Sequence, residues 1–202
     1  TLSGRTTSAV TVHYATANGS ATEGVDYIAM SGDITFAMNT TALSQTISVS
    51  TLDDVVFEGP ENFTVTLSAP TNATISGSNP ATGTIADNET QPTLSIVNTT
   101  GGAEPGLANV FTVSLSGQTT SAVTVHYASA NGLATTGGGD YTATSGELIF
   151  AANTSTLMQT ITISTLDDLI FEGPETFTVT LSAPANAAIS GTNPAIGTIA
   201  DN

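Results

Sequence analysis

The sequence has no cysteine, no lysine and no tryptophan, and Arg5 is its only basic residue apart from two histidines. Without cysteine there are neither disulfides nor a thiolate metal site. Without lysine, crosslinks that consume a lysine amine are excluded as well. The formal net charge of -16 argues against binding to nucleic acid or to an anionic membrane surface. No apolar run is long enough to span a bilayer, so we expect no membrane insertion within this segment.

Acidic residues are abundant and recur in two nearly matching sets. The sequence contains seventeen Asp and Glu residues but only one arginine. Clustered carboxylates without basic partners repel one another and need another counter-charge, which a bound hard cation such as Ca²⁺ would supply. The matching sets are Asp26, Asp53, Asp54, Glu58, Glu61 and Asp87 in the first half, and Asp140, Asp167, Asp168, Glu172, Glu175 and Asp201 in the second.

The whole chain is an internal duplication. Residues 11–14 return at 124–127, a shift of 113, and residues 50–54 return at 164–168, a shift of 114. Units of this size can each bury their own core, so the repeat indicates an array of domains rather than a solenoid. We predict two domains with the boundaries 1–89 and 90–202.

The apolar residues alternate with polar ones, which is the pattern of half-buried strands. No stretch has convincing helical periodicity. Seven short antiparallel strands in about a hundred residues are typical of an immunoglobulin-like sandwich. We therefore predict an all-β protein of two tandem seven-strand immunoglobulin-like β-sandwiches. In the second copy the strands are expected near residues 93–98 (A), 109–115 (B), 122–128 (C), 147–150 (D), 159–164 (E), 176–181 (F) and 197–200 (G).

The first copy is expected to be truncated at its N-terminus. Thr1–Gly4 matches Ser114–Gly117, so the counterparts of strand A and most of strand B are missing. We interpret the chain as a fragment of a longer repetitive protein whose targeting signals lie elsewhere. Either upstream sequence completes the first sandwich, or a neighbouring chain adds strands to its edge. We favour the first, because no spare strand follows strand G.

The acids are sorted by connection. If successive strands alternate in direction, the A–B, C–D and E–F connections and the end of strand G lie at one end of the sandwich. These segments of the second copy carry seven of its eight acids, with only Glu147 in a strand, whereas the opposite loops at 116–121, 151–156 and 183–194 contain none. Solvated surface charge has no reason to follow loop parity. The pattern therefore predicts a cation site at one end of each domain.

Ordered motifs across nearly the whole chain resemble the Calx-beta family, the calcium-binding repeats of sodium–calcium exchangers and of large microbial surface proteins. They are Gly24–Tyr27, Asp53–Phe63 and Thr84–Glu89, with second copies at Gly139–Tyr141, Asp167–Phe177 and Thr198–Asn202. The resemblance implies Ca²⁺ as the bound ion. It implies as ligands Asp26, Asp53, Asp54, Glu58, Glu61, Asp87, Asn88 and Glu89 in the first copy, and Glu104, Asp140, Asp167, Asp168, Glu172, Glu175 and Asp201 in the second.

Some alternatives stay open at this point. The Glu residues before strand F could serve structure by accepting backbone N–H groups. The end of the first copy leads through residues 89–92 directly into the second, so the first site is expected at a short, stiff junction, with neighbouring repeats as partners. An enzyme is not expected, because no tryptophan and few aromatic residues accompany the acids and the whole set is duplicated.

The function predicted from these features is a calcium-stabilised structural repeat. We expect a rigid spacer of a long extracellular or cell-surface filament or adhesin, with neighbouring repeats of the same protein and further copies of itself as partners. The alternative is a calcium-sensing or ligand- or carbohydrate-binding adhesion module. Short apical loops of small residues, such as residues 116–121, favour the spacer.

Overall fold

A computed structural model describes residues 1–104, 106–167 and 170–201. Over these residues the fold is all-β, with strands, turns and no helix, and hence no helix that could cross a membrane. The strands are β1 (Val10–Asn18), β2 (Ser31–Phe36), β3 (Val56–Phe57), β4 (Glu61–Thr71), β5 (Ala81–Ile85), β6 (Thr93–Thr100), β7 (Gly102–Ala103), β8 (Asn109–Leu115), β9 (Gln118–Thr119), β10 (Val123–Asn131), β11 (Ser145–Phe150), β12 (Met158–Ile163), β13 (Glu175–Ala185), β14 (Ala188–Ile189) and β15 (Ala195–Ala200).

The chain folds into two compact units. The first consists of residues 1–54 and 59–88, and the second of residues 55–58 and 89–202. The short segment 55–58 joins the second unit because β3 pairs in parallel with β9.

The second unit is a sandwich of two sheets. One sheet has the order β11-β10-β13-β15-β7 and the other the order β12-β8-β6-β14. In these two sheets the long strands pair antiparallel, whereas the two-residue strands β7 and β14 add in parallel at the edges. The seven long strands lie where the alternation of apolar residues predicts them. The short strands β7, β9 and β14 come in addition, because two-residue pairings leave no periodic signal in a sequence.

The core of the second unit lies between its two sheets. Every second residue of β8 is buried, and Phe111 and Val113 pack with Val125 and Phe177 from the facing sheet. Burying one such side chain stabilises the fold by about 1.5–3 kcal/mol. The interior of the sandwich is therefore filled by alternating side chains, and the side chain of Asn109 adds a 3.0 Å hydrogen bond to the carbonyl of Thr198 on the facing sheet.

The first unit repeats one sheet of the second. Its sheet has the order β2-β1-β4-β5, and β1 pairs with β2 and β4 in the same register as β10 with β11 and β13. Residues 44–49 match β12 but form no strand among the described residues. In the second unit β12 pairs with β8, and only Thr1 and Leu2 of the sequence correspond to β8. The buried cluster of the first unit is correspondingly small, with Ala21, Tyr27 and Phe63 at the centre.

Candidate metal site

Asp140 is a buried carboxylate held by the loop around it. It lies in the connection between β10 and β11, and only 4% of its surface is exposed. Its Oδ2 accepts a hydrogen bond of 2.5 Å from the backbone N–H of Thr135. Its own backbone carbonyl accepts one of 3.0 Å from Leu166, which ties the loop to the chain that follows β12. Because burying a charge without a partner is costly, a carboxylate with one backbone donor gains from a cation as a second partner.

An aromatic platform lies beneath this loop. The ring of Tyr141 stacks on Phe177 with 4.5 Å between centroids and an interplanar angle of 17°. Phe177 in turn lies flat over Gly197 on the neighbouring strand, where an added Cβ would overlap the ring. The Tyr141 hydroxyl donates a 2.7 Å hydrogen bond to Oδ1 of Asn131 at the end of β10. The residue next to Asp140 is thus fixed by packing and by a hydrogen bond.

Three carboxylates of the second unit meet at this loop. Asp140, Glu172 and Glu175 each offer an oxygen, and these oxygens lie within 4.8 Å of one another. We call them the second acidic cluster. Glu172 lies just before β13 and Glu175 begins it, whereas Asp140 comes from the loop after β10. The cluster therefore depends on the tertiary fold and not on one local motif.

Asp201 holds the segment that carries the two glutamates. Its Oδ2 accepts hydrogen bonds of 2.7 Å from the backbone N–H groups of both Glu172 and Gly173. Gly173 has a φ of 80°, a backbone conformation that glycine adopts without steric strain. Accepting backbone N–H groups is the alternative role that the sequence leaves open for the glutamates. At this place the structure gives that role to Asp201.

The electrostatics of the cluster are those of crowded acids. Partial burial raises the pKa of Glu175 above its usual value, and the negative charge of Asp140 raises it further. A hydrogen bond from protonated Glu175 to Asp140 and the charges of Glu172 and Glu104 act in the same direction on this pKa. No lysine or arginine exists in the second copy to relieve this repulsion. A cation would do so, because it favours the charged form of every carboxylate around it.

The first copy repeats the arrangement. Asp26 is buried, and its Oδ2 accepts a 2.6 Å hydrogen bond from the N–H of Thr22. Asp26, Glu58 and Glu61, the first acidic cluster, offer oxygens within 4.8 Å of one another. Burial raises the pKa of Glu61, followed by the charge of Asp26, a hydrogen bond to Asp26 and the charge of Asp87. Oδ2 of Asp87 accepts a 2.6 Å hydrogen bond from the N–H of Gly59, which matches the bond between Asp201 and Gly173.

The remaining predicted ligands are placed less centrally. Glu104 follows β7, donates its backbone N–H to the carbonyl of Ala200 and is near enough to raise the pKa of Glu175. Asp168 lies outside the described residues. Eight predicted ligands do not belong to the three-carboxylate groups found in the described part of the chain: Asp53, Asp54, Asp87, Asn88, Glu89, Glu104, Asp167 and Asp201. Their role stays a prediction.

Two asparagines of the site were not among the sequence-predicted residues. Oδ1 of Asn131 accepts from the Tyr141 hydroxyl and from the N–H of Thr136 at 3.3 Å. Oδ1 of Asn18 accepts in the same way from the Tyr27 hydroxyl at 2.7 Å. The signal was present in the sequence, since Ala-Asn-Gly occurs at the same place in both copies, at 17–19 and 130–132.

The geometry of the clusters fits a calcium ion. Ca²⁺ binds oxygens at about 2.3–2.6 Å, so two oxygens on one ion are at most about 5 Å apart. The three carboxylate oxygens of each cluster, within 4.8 Å of one another, satisfy this limit. All donors are oxygens and the clusters contain neither histidine nor cysteine, which suits a hard cation.

Comparison with known proteins gives matches to one family model and to several solved structures. The model of the Calx-beta domain family matches residues 1–90 and 87–202. Among solved structures, the apo form of the Calx CBD1 domain is 23% identical over 54% of this chain and 97% of its own, with a TM-score of 0.46. CBD12 from CALX1.2 is 19% identical over 98% of this chain and 90% of its own, with a TM-score of 0.45. The calcium binding domain CBD12 of CALX1.1 is 20% identical over 98% and 89%, with a TM-score of 0.42. The comparison with curated proteins gives no match.

Proposed function

The chain belongs to the Calx-beta family, and we propose that each of its two repeats binds calcium at its acidic cluster. The observation that carries this proposal is the meeting of Asp140, Glu172 and Glu175 within 4.8 Å in a copy that has no lysine or arginine. Three like charges this close destabilise the fold by themselves. A divalent cation attracts each of the three carboxylates and so offsets their mutual repulsion.

We assign different roles to the acids of the second repeat. Asp140 and Glu175 are the central ligands, because both are at least half-buried and hydrogen-bonded to each other when Glu175 is protonated. Glu172 is the third ligand, and its side chain is exposed to solvent. Asp201 positions Glu172 and Gly173 through its Oδ2 and adds a further carboxylate beside the cluster. Glu104, Asp167 and Asp168 would complete the roughly 6–8 oxygens that calcium takes.

The matching roles in the first repeat fall on Asp26 and Glu61 as central ligands and on Asp87 as the residue that holds the glutamate segment. Asp53, Asp54, Glu58, Asn88 and Glu89 are the further proposed donors. Duplication of the whole arrangement supports a repeated structural role rather than catalysis.

The biological role we propose is a rigid spacer in an extracellular or cell-surface filament or adhesin. A chain without cysteine or lysine has neither disulfides nor lysine crosslinks, and bound calcium can stabilise its domains in their place. Extracellular calcium modules work at about 10⁻⁴–10⁻³ M, which irregular clusters of carboxylates can meet. Small-angle scattering with calcium and with chelator tests the spacer role: calcium is expected to reduce the flexibility of the tandem. Equal flexibility in both conditions would leave calcium a role inside each domain only.

Calcium binding itself is tested by calorimetric titration of the wild type and of Asp140→Asn. Loss of one set of sites in the variant is expected, with the set of the first repeat unchanged. Glu147→Gln is the matched control, since Glu147 is an exposed acid on β11 whose loss changes the net charge equally. Equal binding by all three proteins would contradict the assignment.

A further inference from the structure

The pairing of β3 with β9 uses two segments that both occur twice in the chain. Within the second unit, Val56 lies opposite Gln118 and Phe57 opposite Thr119 in a parallel pair. The carbonyl of Phe57 also accepts a hydrogen bond of 3.3 Å from the N–H of Thr120. The segment around Phe57 returns as residues 169–175, and the loop at 116–121 returns as residues 3–8. The chain therefore holds a second copy of each partner.

The loop at residues 3–8 is held by the same backbone hydrogen bond as its counterpart at residues 116–121. The carbonyl of Thr119 accepts a 2.9 Å hydrogen bond from the N–H of Asn153, and the carbonyl of Thr6 accepts one of 2.8 Å from the N–H of Asn39. The same bond in both copies holds the loop against the turn that follows the neighbouring strand. Residues 5–7 are thus held by the same backbone bond as Gln118–Thr120, which pair with β3.

In the second copy of the segment around Phe57, the phenylalanine is strongly exposed. Phe171 exposes 85% of its surface, the largest value among the exposed hydrophobic residues of the described chain, whereas its counterpart Phe57 is half-buried beside β9. The preceding Ile170 exposes 63% of its surface, so two consecutive apolar side chains form an exposed patch of the kind that marks an interaction surface. Charge complementarity points to the occupant: Glu172 and Glu175 follow Phe171, and the exposed Arg5, the only lysine or arginine of the chain, occupies the position of Gln118.

We propose that the Phe171 segment of one chain pairs with the Arg5–Thr7 loop of a second copy, in the register of β3 with β9. Ile170 would lie opposite Arg5 and Phe171 opposite Thr6, and the N–H of Thr7 would donate to the carbonyl of Phe171. The contact joins different surfaces of the two copies, so it leaves one loop and one segment for further copies and builds an open, head-to-tail chain. The backbone pairing and the contact of Phe171 do not require a bound calcium ion.

Two experiments test the association. Analytical ultracentrifugation of the wild type at increasing concentration is expected to show a rising average mass. Phe171→Ser should weaken the association about tenfold or more, since it removes a large apolar side chain from the contact. Leu133→Ser removes another strongly exposed apolar side chain of the same unit and is the matched control. Arg5→Gln copies residue 118, so it should keep the association and reduce its dependence on salt.

Engineered cysteines test the register, since the chain has no cysteine of its own. A mixture of Arg5→Cys and Ile170→Cys chains should form a crosslinked heterodimer with a short bifunctional maleimide. Arg5→Cys mixed with Leu133→Cys should not. A wild type that stays monomeric at all concentrations, an equal loss in Leu133→Ser, or equal crosslinking of the control mixture would each overturn the proposal.

Discussion

Replacing Asp140 by asparagine should separate the effect of its hydrogen bond to the loop from the effect of its negative charge. The amide oxygen can still accept the hydrogen bond from Thr135, so the loop keeps its anchor while the charge is removed. At 4.8 Å, the largest separation within the cluster, two unit charges repel by about 1 kcal/mol in water and by about 3.5 kcal/mol at an effective dielectric constant of 20. Since Glu175 is only half-buried, we take the lower value. In chelator, Asp140→Asn should therefore be as stable as the wild type or more stable by about 1 kcal/mol.

Calcium should reverse this order. A ligand at one hundred times its dissociation constant stabilises the folded state by about 2.7 kcal/mol. For a domain of this size that corresponds to a rise of roughly 10–20 °C in the melting temperature of the second unit. Asp140→Asn should lose most of the rise.

The assay is differential scanning calorimetry of the wild type, Asp140→Asn and the control Glu147→Gln, each in excess chelator and in calcium. Glu147→Gln should behave as the wild type in both. A variant that is much less stable than the wild type in chelator would show that the charge of Asp140 supports the fold by itself. A variant that keeps the full calcium-dependent rise would show that Asp140 is not a ligand. Either result would refute the reasoning.

Three further predictions concern the second unit. In chelator, the free energy of unfolding of this unit should fall as the pH rises from the usual pKa of a glutamate through the raised pKa of Glu175. The reason is that the folded state holds the proton of Glu175 more tightly than the unfolded chain does. Urea denaturation at several pH values should show a flatter dependence of stability on pH for Glu175→Gln. Gly197→Ala should destabilise the unit by about 1–3 kcal/mol, since the added Cβ meets an aromatic ring, whereas Gly117→Ala, which meets nothing within 4 Å, should change little in the same denaturation. Asn131→Ala should cost about 0.5–1.5 kcal/mol by removing the hydrogen bond from the Tyr141 hydroxyl, and calorimetric titration should show weaker calcium binding although the ion loses no ligand.

The strands were predictable because burial on one face imposes a period of two. In β8 the pattern of buried residues follows Asn109, Phe111, Val113 and Leu115 without a break. The same alternation located the other long strands of the second copy within a few residues. Short pairings such as β7 and β14 could not be predicted, because a two-residue strand depends on which backbone happens to lie beside it and not on its own side chains.

The acidic end of each domain was predictable for a different reason. In a sandwich of antiparallel strands, every second connection lies at the same end. The order of the connections along the sequence was therefore enough to predict that Asp140 and Glu175 lie at the same end. Which carboxylates touch could not be derived, because this depends on backbone donors inside the loops. Asp201 illustrates the difference: it was expected among the ligands, and one of its oxygens is already engaged by Glu172 and Gly173.

The position of the buried aspartate has a consequence for how the proposed site works. The stacked rings of Tyr141 and Phe177 lie beneath the loop and the backbone N–H of Thr135 donates to Asp140, so contacts within the protein position this carboxylate. The energy that organises these carboxylates comes from the aromatic platform and the core, in which Phe177 is fully buried. Calcium would then lose little of its binding energy to ordering the loop. Weakening the platform should therefore lower calcium affinity as surely as removing a carboxylate.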